Sequence, residues 1–264
     1  MQPLLNIAVN AARQAGDVIV RHLEQVDRMK PTAKGQNDFF CEVDVKAEQA
    51  IINTILKAYP HHGILAEESG VQNPDAETVW IIDPLDGTTN YLHGFPFFSV
   101  SIAVKIKDRI EHGVIFDPIR HECFMATRGR GARLNDRRIR VSKQTQLNAA
   151  LLGTGFSFRD AALAKRFMPT FEALIGKCAG VRRTGSAALD LAYVASGRLD
   201  GFWQFGLKPW DIAAGSLLIQ ESGGMICDLQ GGEDYLTHGD IVTATPKIFK
   251  PLVQLLIPAA KQQL

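Results

Sequence analysis

The sequence predicts an α/β protein of two halves, α+β over residues 1–140 and alternating α/β over residues 141–264. Three observations carry this reading. Two helical periodicities open the chain, a meander of β-branched segments follows them, and from Leu151 onward short apolar strands and amphipathic helices take turns.

Leu4, Leu5, Ala8, Ala11, Ala12, Ala15, Val18 and Ile19 recur at helical spacing, which predicts a helix over residues 4–23 that Gly16 weakens slightly. Lys30 to Phe40 is polar, holds Pro31, Gly35 and Asn37-Asp38, and reads as a loop. A second helix runs from Val45 to Tyr59 with Ile51, Ile52, Ile55 and Leu56 on its apolar face, and Pro60 stops it. Residues 63–66 and 79–82 read as short buried strands. Residues 97–106 and 110–116 read as an alternating pair joined at Lys107-Asp108-Arg109, with a further strand at 122–126. A polar and basic stretch from Asn135 to Leu147 marks the change of rhythm. Beyond it, strands are expected at 151–154, 201–205, 225–228 and 241–245. Helices are expected at 161–175 (with Pro169 as a kink), 186–196, 211–221 and 247–256. Ser222-Gly223-Gly224 is a strong helix stop.

A formal net charge of +1 encodes no global attraction to nucleic acid or to a membrane surface. Cys41, Cys123, Cys178 and Cys227 form no Cys-x-x-Cys pair, so they read as scattered reduced thiols of a cytoplasmic protein. The first residues lack the basic and apolar regions of a signal peptide, and no apolar run is long enough to span a bilayer.

The chemistry concentrates in Trp80-Ile81-Ile82-Asp83-Pro84-Leu85-Asp86-Gly87-Thr88-Thr89-Asn90. An apolar strand delivers two carboxylates around a proline. Like charges that close resist joint ionisation, and a hard divalent cation resolves the conflict. Pro84 is expected to bend the strand away and free the Leu85 carbonyl as a ligand. The Gly-Thr-Thr turn offers backbone N–H groups to a phosphate, and Thr88 is placed to orient a water through its hydroxyl, which Asp44 is placed to hold in turn. Two cations sharing carboxylates can clamp the attacking and leaving oxygens of a phosphoryl transfer through a metal-activated water, with no His or Cys nucleophile. Further acids stand at Asp44, Glu67-Glu68 and Asp211. Taken alone, Asp44 also reads as a helix N-cap, Asp211 as a first-turn dipole partner and Glu67-Glu68 as a solvated loop.

Glu67-Glu68-Ser69-Gly70, the run from Trp80 to Asn90, and Pro209-Trp210-Asp211-Ile212-Ala213-Ala214-Gly215 resemble, in order and spacing, the three motifs of the inositol monophosphatase family. The resemblance extends from Leu4 to about Ile248 and is nearest to the family's bacterial members. It implies a layered αβαβα sandwich of the sugar phosphatase superfamily, a homodimer, lithium sensitivity and two or three Mg2+ ions. By position, Glu67, Asp83, the Leu85 carbonyl, Asp86 and Asp211 match the magnesium ligands. Thr88, bonded to Asp44, matches the pair that with Glu67 positions the attacking water. Gly87 and Thr88 match the phosphate cradle; Gly185, Ser186 and Ala187 match the segment on the substrate sugar, with Asp211 also among the substrate contacts. Lys34 falls in a loop that helps hold a further metal.

One departure concerns the substrate. Gln204 stands where inositol phosphatases place a glutamate that accepts from a ring hydroxyl, and losing that charge-assisted bond costs about 1 kcal/mol. The implied activity is Mg2+-dependent hydrolysis of inositol 1-phosphate or a related polyol or sugar monophosphate. Nucleotide-phosphate, fructose-bisphosphate and histidinol-phosphate phosphatases of the same superfamily are the rivals, and the compact spacing between motifs favours a small monophosphate. Bacterial members also act as transcription antitermination factors, which implies contacts with RNA polymerase, Nus factors and RNA. Locally, Arg128, Arg130, Arg133, Arg137, Arg138 and Arg140 supply a basic segment, read either as such a contact or as a solvated basic loop or dimer edge. Arg182-Arg183 reads as a dimer edge, as the partner of a carboxylate near the site or as a helix-flanking surface pair, Trp203 and Trp210 as packing residues, and His61-His62 as an exposed turn.

Overall fold

The computed structural model describes residues 2–23, 32–35, 38–40, 42–156, 158 and 160–261. Among them, α1 (Pro3–Leu23) and α2 (Glu42–Ala58) pack side by side, with the hairpin β1 (Thr32–Gly35) and β2 (Asp38–Phe40) between them in sequence. That hairpin replaces the loop expected at 30–40. An eight-stranded sheet follows: β3 (Gly63–Ala66), β4 (Gly70–Gln72), β5 (Thr78–Asp86), β6 (Ser99–Ile106), β7 (Arg109–Asp117), β8 (Glu122–Thr127), β9 (Gly131–Leu134) and β10 (Arg137–Arg138), in the order β10-β9-β8-β7-β6-β5-β3-β4. The tight turn expected at Lys107-Asp108-Arg109 joins β6 to β7, but it is only two residues long because Arg109 already pairs in β7; Lys107 takes φ 54°. The short β9–β10 hairpin went unread in the polar stretch, where Asn135 supplies the left-handed residue at φ 52°.

Period two decides which layer each side of the large sheet meets. Trp80 and Ile82 of β5 face α1 and α2 together with Val100, Ile102, Val104 and Val114. Ile81, Ala103, Ile115 and Phe124 face the opposite way, onto α5 (Ala187–Ala195) and α6 (Pro209–Ser222). Small residues let the layers approach. A Cβ at Gly16 of α1 would come within 2.5 Å of the Phe116 ring, so the glycine that weakens the helix is also what seats it on β7.

The second sheet contains β11 (Leu151–Thr154), β12 (Gly180–Arg182), β13 (Gly201–Gln204), β14 (Met225–Cys227) and β15 (Ile241–Ala244), in the order β12-β11-β13-β15-β14. Its inner face covers α5 and α6 through Phe202 and Ile241. Its outer face packs Leu152, Trp203 and Val242 under α4 (Ala161–Glu172) and α8 (Pro246–Lys261), by way of Phe167, Ile248, Leu252 and Leu256. The result is an αβαβα sandwich. Two short elements, α3 (Thr88–Leu92) and α7 (Tyr235–His238), and the edge strands β4 and β12 escaped the sequence reading because none carries a full period of its own pattern. α8 runs past the expected end at Leu256, since Ala259 and Ala260 are still buried.

Trp203 is fully buried, donates from Nε1 to Thr170 Oγ1 at 3.0 Å and stacks on Phe167. His62 is not the exposed turn residue expected. It stacks on Tyr59 and accepts the Trp80 indole N–H at Nδ1 (3.0 Å), and partial burial lowers its pKa. No helix among the described residues is long and apolar enough to cross a membrane. Cys123, Cys178 and Cys227 are free thiols; Cys41 lies outside the described residues.

Candidate functional site

β5 is the central strand of the N-terminal motifs, and it does not stop at Asp83. Asp83 pairs with Ser101 and Asp86 with Ser99, so three steps on β5 match two on β6. Pro84 is therefore absorbed in a β-bulge, the place in a sheet where a missing N–H is tolerated. The bulge re-aims the two carboxylates, and the Leu85 N–H closes the turn onto Asp83 Oδ1 at 3.0 Å. The third carboxylate arrives from the far end of the sequence. Pro209 opens α6 at its first position, Asp211 lies in the first turn, and the Lys208 N–H donates to Asp211 Oδ2 at 2.7 Å. Ser101 Oγ fixes this helix start to β6 by donating to the Trp210 carbonyl at 3.1 Å.

Asp83, Asp86 and Asp211 thus converge, each offering a carboxylate oxygen within 4.8 Å of the others. Burial pushes the Asp83 carboxyl well above the usual range, and the charges of Glu67, Asp86 and Asp211 push it further. Burial raises Asp86 to about 6 against hydrogen bonds from Ser186, Ala188 and Ala187 that lower it. Burial and the charge of Asp86 raise Asp211 to about 7. Three hard oxygen donors that pay this much to stay ionised suit a hard dication, which would take the place of the protons.

Glu67 follows β3, the parallel neighbour of β5; its N–H bonds the Ile82 carbonyl at 3.2 Å, and its charge reaches Asp83. Gly87 adopts φ 98° and leads into α3, so the Thr88 hydroxyl lies 3.0 Å from both Asp44 Oδ1 and the Leu85 carbonyl. The single hydroxyl proton serves one of these acceptors at a time. Asp44 is buried within the first turn of α2 rather than ahead of the helix, so it is not the N-cap its position suggested.

Ser186 and Ala187 stand on Asp86. Ser186 Oγ donates to Asp86 Oδ2 at 2.5 Å and the Ala188 N–H at 2.8 Å, which seats the carboxylate on the N-terminus of α5. Gly185 has φ 93°, and a Cβ there would strike the Asn90 amide at 2.8 Å. Gln204 ends β13, pairs with Ile241 of β15 and lays its side-chain amide against Gly155. The backbone of Lys34 belongs to β1. Of the arginines in the basic segment, Arg128 and Arg140 are engaged locally, with the Ile110 and Glu221 carbonyls. Arg130, Arg133, Arg137 and Arg138 are exposed along the β8–β10 edge.

Four supporting residues were missed. Asn90 Nδ2 donates to the Phe97 and Thr184 carbonyls at 2.7 and 2.8 Å and so ties the Asp83–Asn90 run to the segment before α5. Asp190 is buried, receives the Thr184 hydroxyl at 2.7 Å and has its carboxyl raised well above the usual range by burial. Ser101 anchors α6, and Glu48 holds the loop after Glu67. Only Glu48 left a signal in the sequence, standing four residues after Asp44 and so on the same helix face.

The raised acids fix the sign of a pH effect. Each holds its proton more tightly folded than unfolded, so the metal-free protein loses stability as pH rises from the ordinary carboxylate value of about 4 to the folded value of about 7. Its unfolding temperature in EDTA is expected to fall by several degrees between about pH 5 and pH 8, with magnesium restoring it chiefly at the higher pH. A melting temperature flat across that range would show that the three carboxylates carry no such strain.

The sequence matches the inositol monophosphatase family over residues 1–262. It is 51% identical over 263 residues to the Nus factor SuhB of Pseudomonas aeruginosa, covering 98% of this chain and 97% of that one. The crystal structure of the extragenic suppressor protein suhB from Bartonella henselae superposes with a TM-score of 0.93 at 40% identity, covering all of both chains. An inositol monophosphatase from Anabaena (Nostoc) gives 0.86 at 38% identity, covering 97% of this chain and 95% of that one. Sequence and fold agree along the whole length, and the chain belongs to the inositol monophosphatase family.

Proposed function

We propose that this protein is a cytoplasmic Nus factor acting in transcription antitermination, built on a scaffold that keeps the acid centre of a divalent-cation-dependent phosphomonoesterase. The first part rests on one observation, the 51% identity, nearly end to end, to a protein named for that role. Its partners are then RNA polymerase, other Nus factors and RNA, and the exposed arginines of the β8–β10 edge are the surface offered to RNA. Tagged protein is expected to co-purify with RNA polymerase, and to do so equally well as the Asp83→Asn variant. Arg133→Ala/Arg137→Ala/Arg138→Ala is expected to lose the RNA-dependent share of that association. Recovery without any polymerase would remove the reading.

The phosphatase capacity rests on the three converging aspartates. Asp83, Asp86, Asp211, Glu67 and the Leu85 carbonyl would hold Mg2+, two or three ions in all. When bound, the cations supply a Lewis acid for the phosphoryl oxygens and lower the pKa of water. The chain's own groups do the rest. Thr88, held by Asp44, and Glu67 orient the attacking water. The Gly87 and Thr88 N–H groups receive phosphate oxygens, and Gly185, Ser186, Ala187, Gln204 and Asp211 border the alcohol. The substrate is a polyol or sugar monophosphate with inositol 1-phosphate as one member, and Gln204, which accepts only through a neutral carbonyl, holds a ring hydroxyl less firmly than a glutamate would. We further propose a homodimer sensitive to lithium, as the family resemblance implies.

A further inference from the structure

The structure assigns a role to Glu48 that the motifs do not contain: we infer that it is a positioning residue which sets the Glu67 loop before any cation arrives. The inference rests on the reading of the acid set as a divalent-cation centre. Glu48 lies one helical turn beyond Asp44 on α2 and is 3% exposed. Both of its oxygens are used: Oε2 accepts the Glu68 N–H and Oε1 the Ser69 N–H, each at 2.8 Å. Together with the bond from the Glu67 N–H to the Ile82 carbonyl, three successive amides of residues 67–69 are fixed to the scaffold. A segment pinned at three consecutive N–H groups has little freedom left in φ and ψ, so the direction in which Glu67 leaves the backbone is settled by α2 and β5.

The same helix face therefore serves both N-terminal motifs. Asp44 meets Thr88, and Glu48 meets the turn after Glu67. α2 is itself held in the first core by Val43, Ala47, Ile51, Ile52 and Ile55. Two carboxylates at i and i+4 act as rigid struts from one packed helix to two loops that are 20 residues apart in sequence. Glutamine at position 48 would keep the size but present an N–H2 group to one of the two amide donors, leaving that N–H unpaired. Outer-shell partners of this kind set metal affinity over roughly a tenfold to hundredfold range.

The test is direct titration of purified protein with Mg2+, followed by calorimetry. Glu48→Gln is expected to weaken magnesium binding about tenfold or more. Ile52→Val removes a methyl group from the buried face of the same helix but leaves both loop bonds in place. It is expected to lower the unfolding temperature without changing magnesium affinity, which separates positioning from simple destabilisation. Amide exchange of metal-free wild-type protein gives a second measurement should Glu48→Gln fail to fold: the Glu68 and Ser69 N–H groups are expected to exchange slowly. Wild-type binding with Glu48→Gln unchanged, or fast exchange at both amides, would overturn the inference alone. No magnesium binding by the wild-type protein would overturn both it and the metal-centre reading.

Discussion

Asp83→Asn is expected to lower magnesium-dependent release of phosphate from polyol monophosphates by about a thousandfold, a loss of roughly 4 kcal/mol in the transition state. Asn keeps the shape of the side chain and an oxygen that can accept the Leu85 N–H now on Asp83 Oδ1. The bulge in β5 therefore survives. What disappears is a negative charge buried among Glu67, Asp86 and Asp211, whose repulsion and desolvation hold the Asp83 carboxyl far above its ordinary range. The same charge that a cation needs is one the empty fold would rather not carry. The variant is thus expected to melt higher than the wild type in EDTA near pH 8 while binding magnesium more weakly. Side-by-side turnover on a panel of phosphate esters and thermal scans in EDTA provide the check. Unchanged turnover would end the phosphatase reading, and a lower melting temperature in EDTA would show that Asp83 is structural rather than strained.

Gly113→Val is expected to destabilise the fold by about 3 kcal/mol and lower its melting temperature by about 10 °C. Gly113 lies in β7 where α6 crosses, and an added Cβ would stand 2.9 Å from the Ala214 carbonyl oxygen and 3.0 Å from its Cα. These are backbone atoms, which cannot rotate aside, so the whole helix must move. α6 carries Asp211 in its first turn, and magnesium affinity should fall along with stability. Gly180→Ala is the control. Its Cβ would meet the flexible end of Arg182 at 3.2 Å and make an ordinary contact with Leu151 Cδ1 at 3.7 Å, and a change within about 1 kcal/mol is expected. A folded Gly113→Val protein with a wild-type melting curve would mean that the sheet and α6 are not in backbone contact.

Two of the three acidic motifs were legible because each breaks a local rule. Asp83 and Asp86 interrupt an apolar strand, and Asp211 follows Pro209-Trp210 at a helix start, so composition alone marks them as out of place. The supports around them broke no rule and stayed hidden. Ser101 is one of three polar residues in β6, Asn90 one amide in the short α3, and Asp190 one acid in α5. Their partners are 94 residues away for Asn90 and 109 for Ser101, distances at which no periodicity speaks. The basic segment misled in the other direction. It read as one patch, yet Arg128 is half-buried and spent on the Ile110 carbonyl, and Arg140, though exposed, is tied to the Glu221 carbonyl, which leaves Arg130, Arg133, Arg137 and Arg138 along the solvent edge.

By itself the sequence determined the order of the longer helices and strands and the identity of the acids, because alternation, helical period and misplaced charge are local properties of the chain. Only the tertiary structure decided that Pro84 lies in a bulge instead of ending a strand, that Ser186 and Ala188 hold Asp86, and that α2 braces two loops with Asp44 and Glu48. Those facts depend on which segments lie side by side after α5 and α6 are buried between the two sheets. That placement follows from the burial of apolar faces against one another, and no single stretch of sequence contains it.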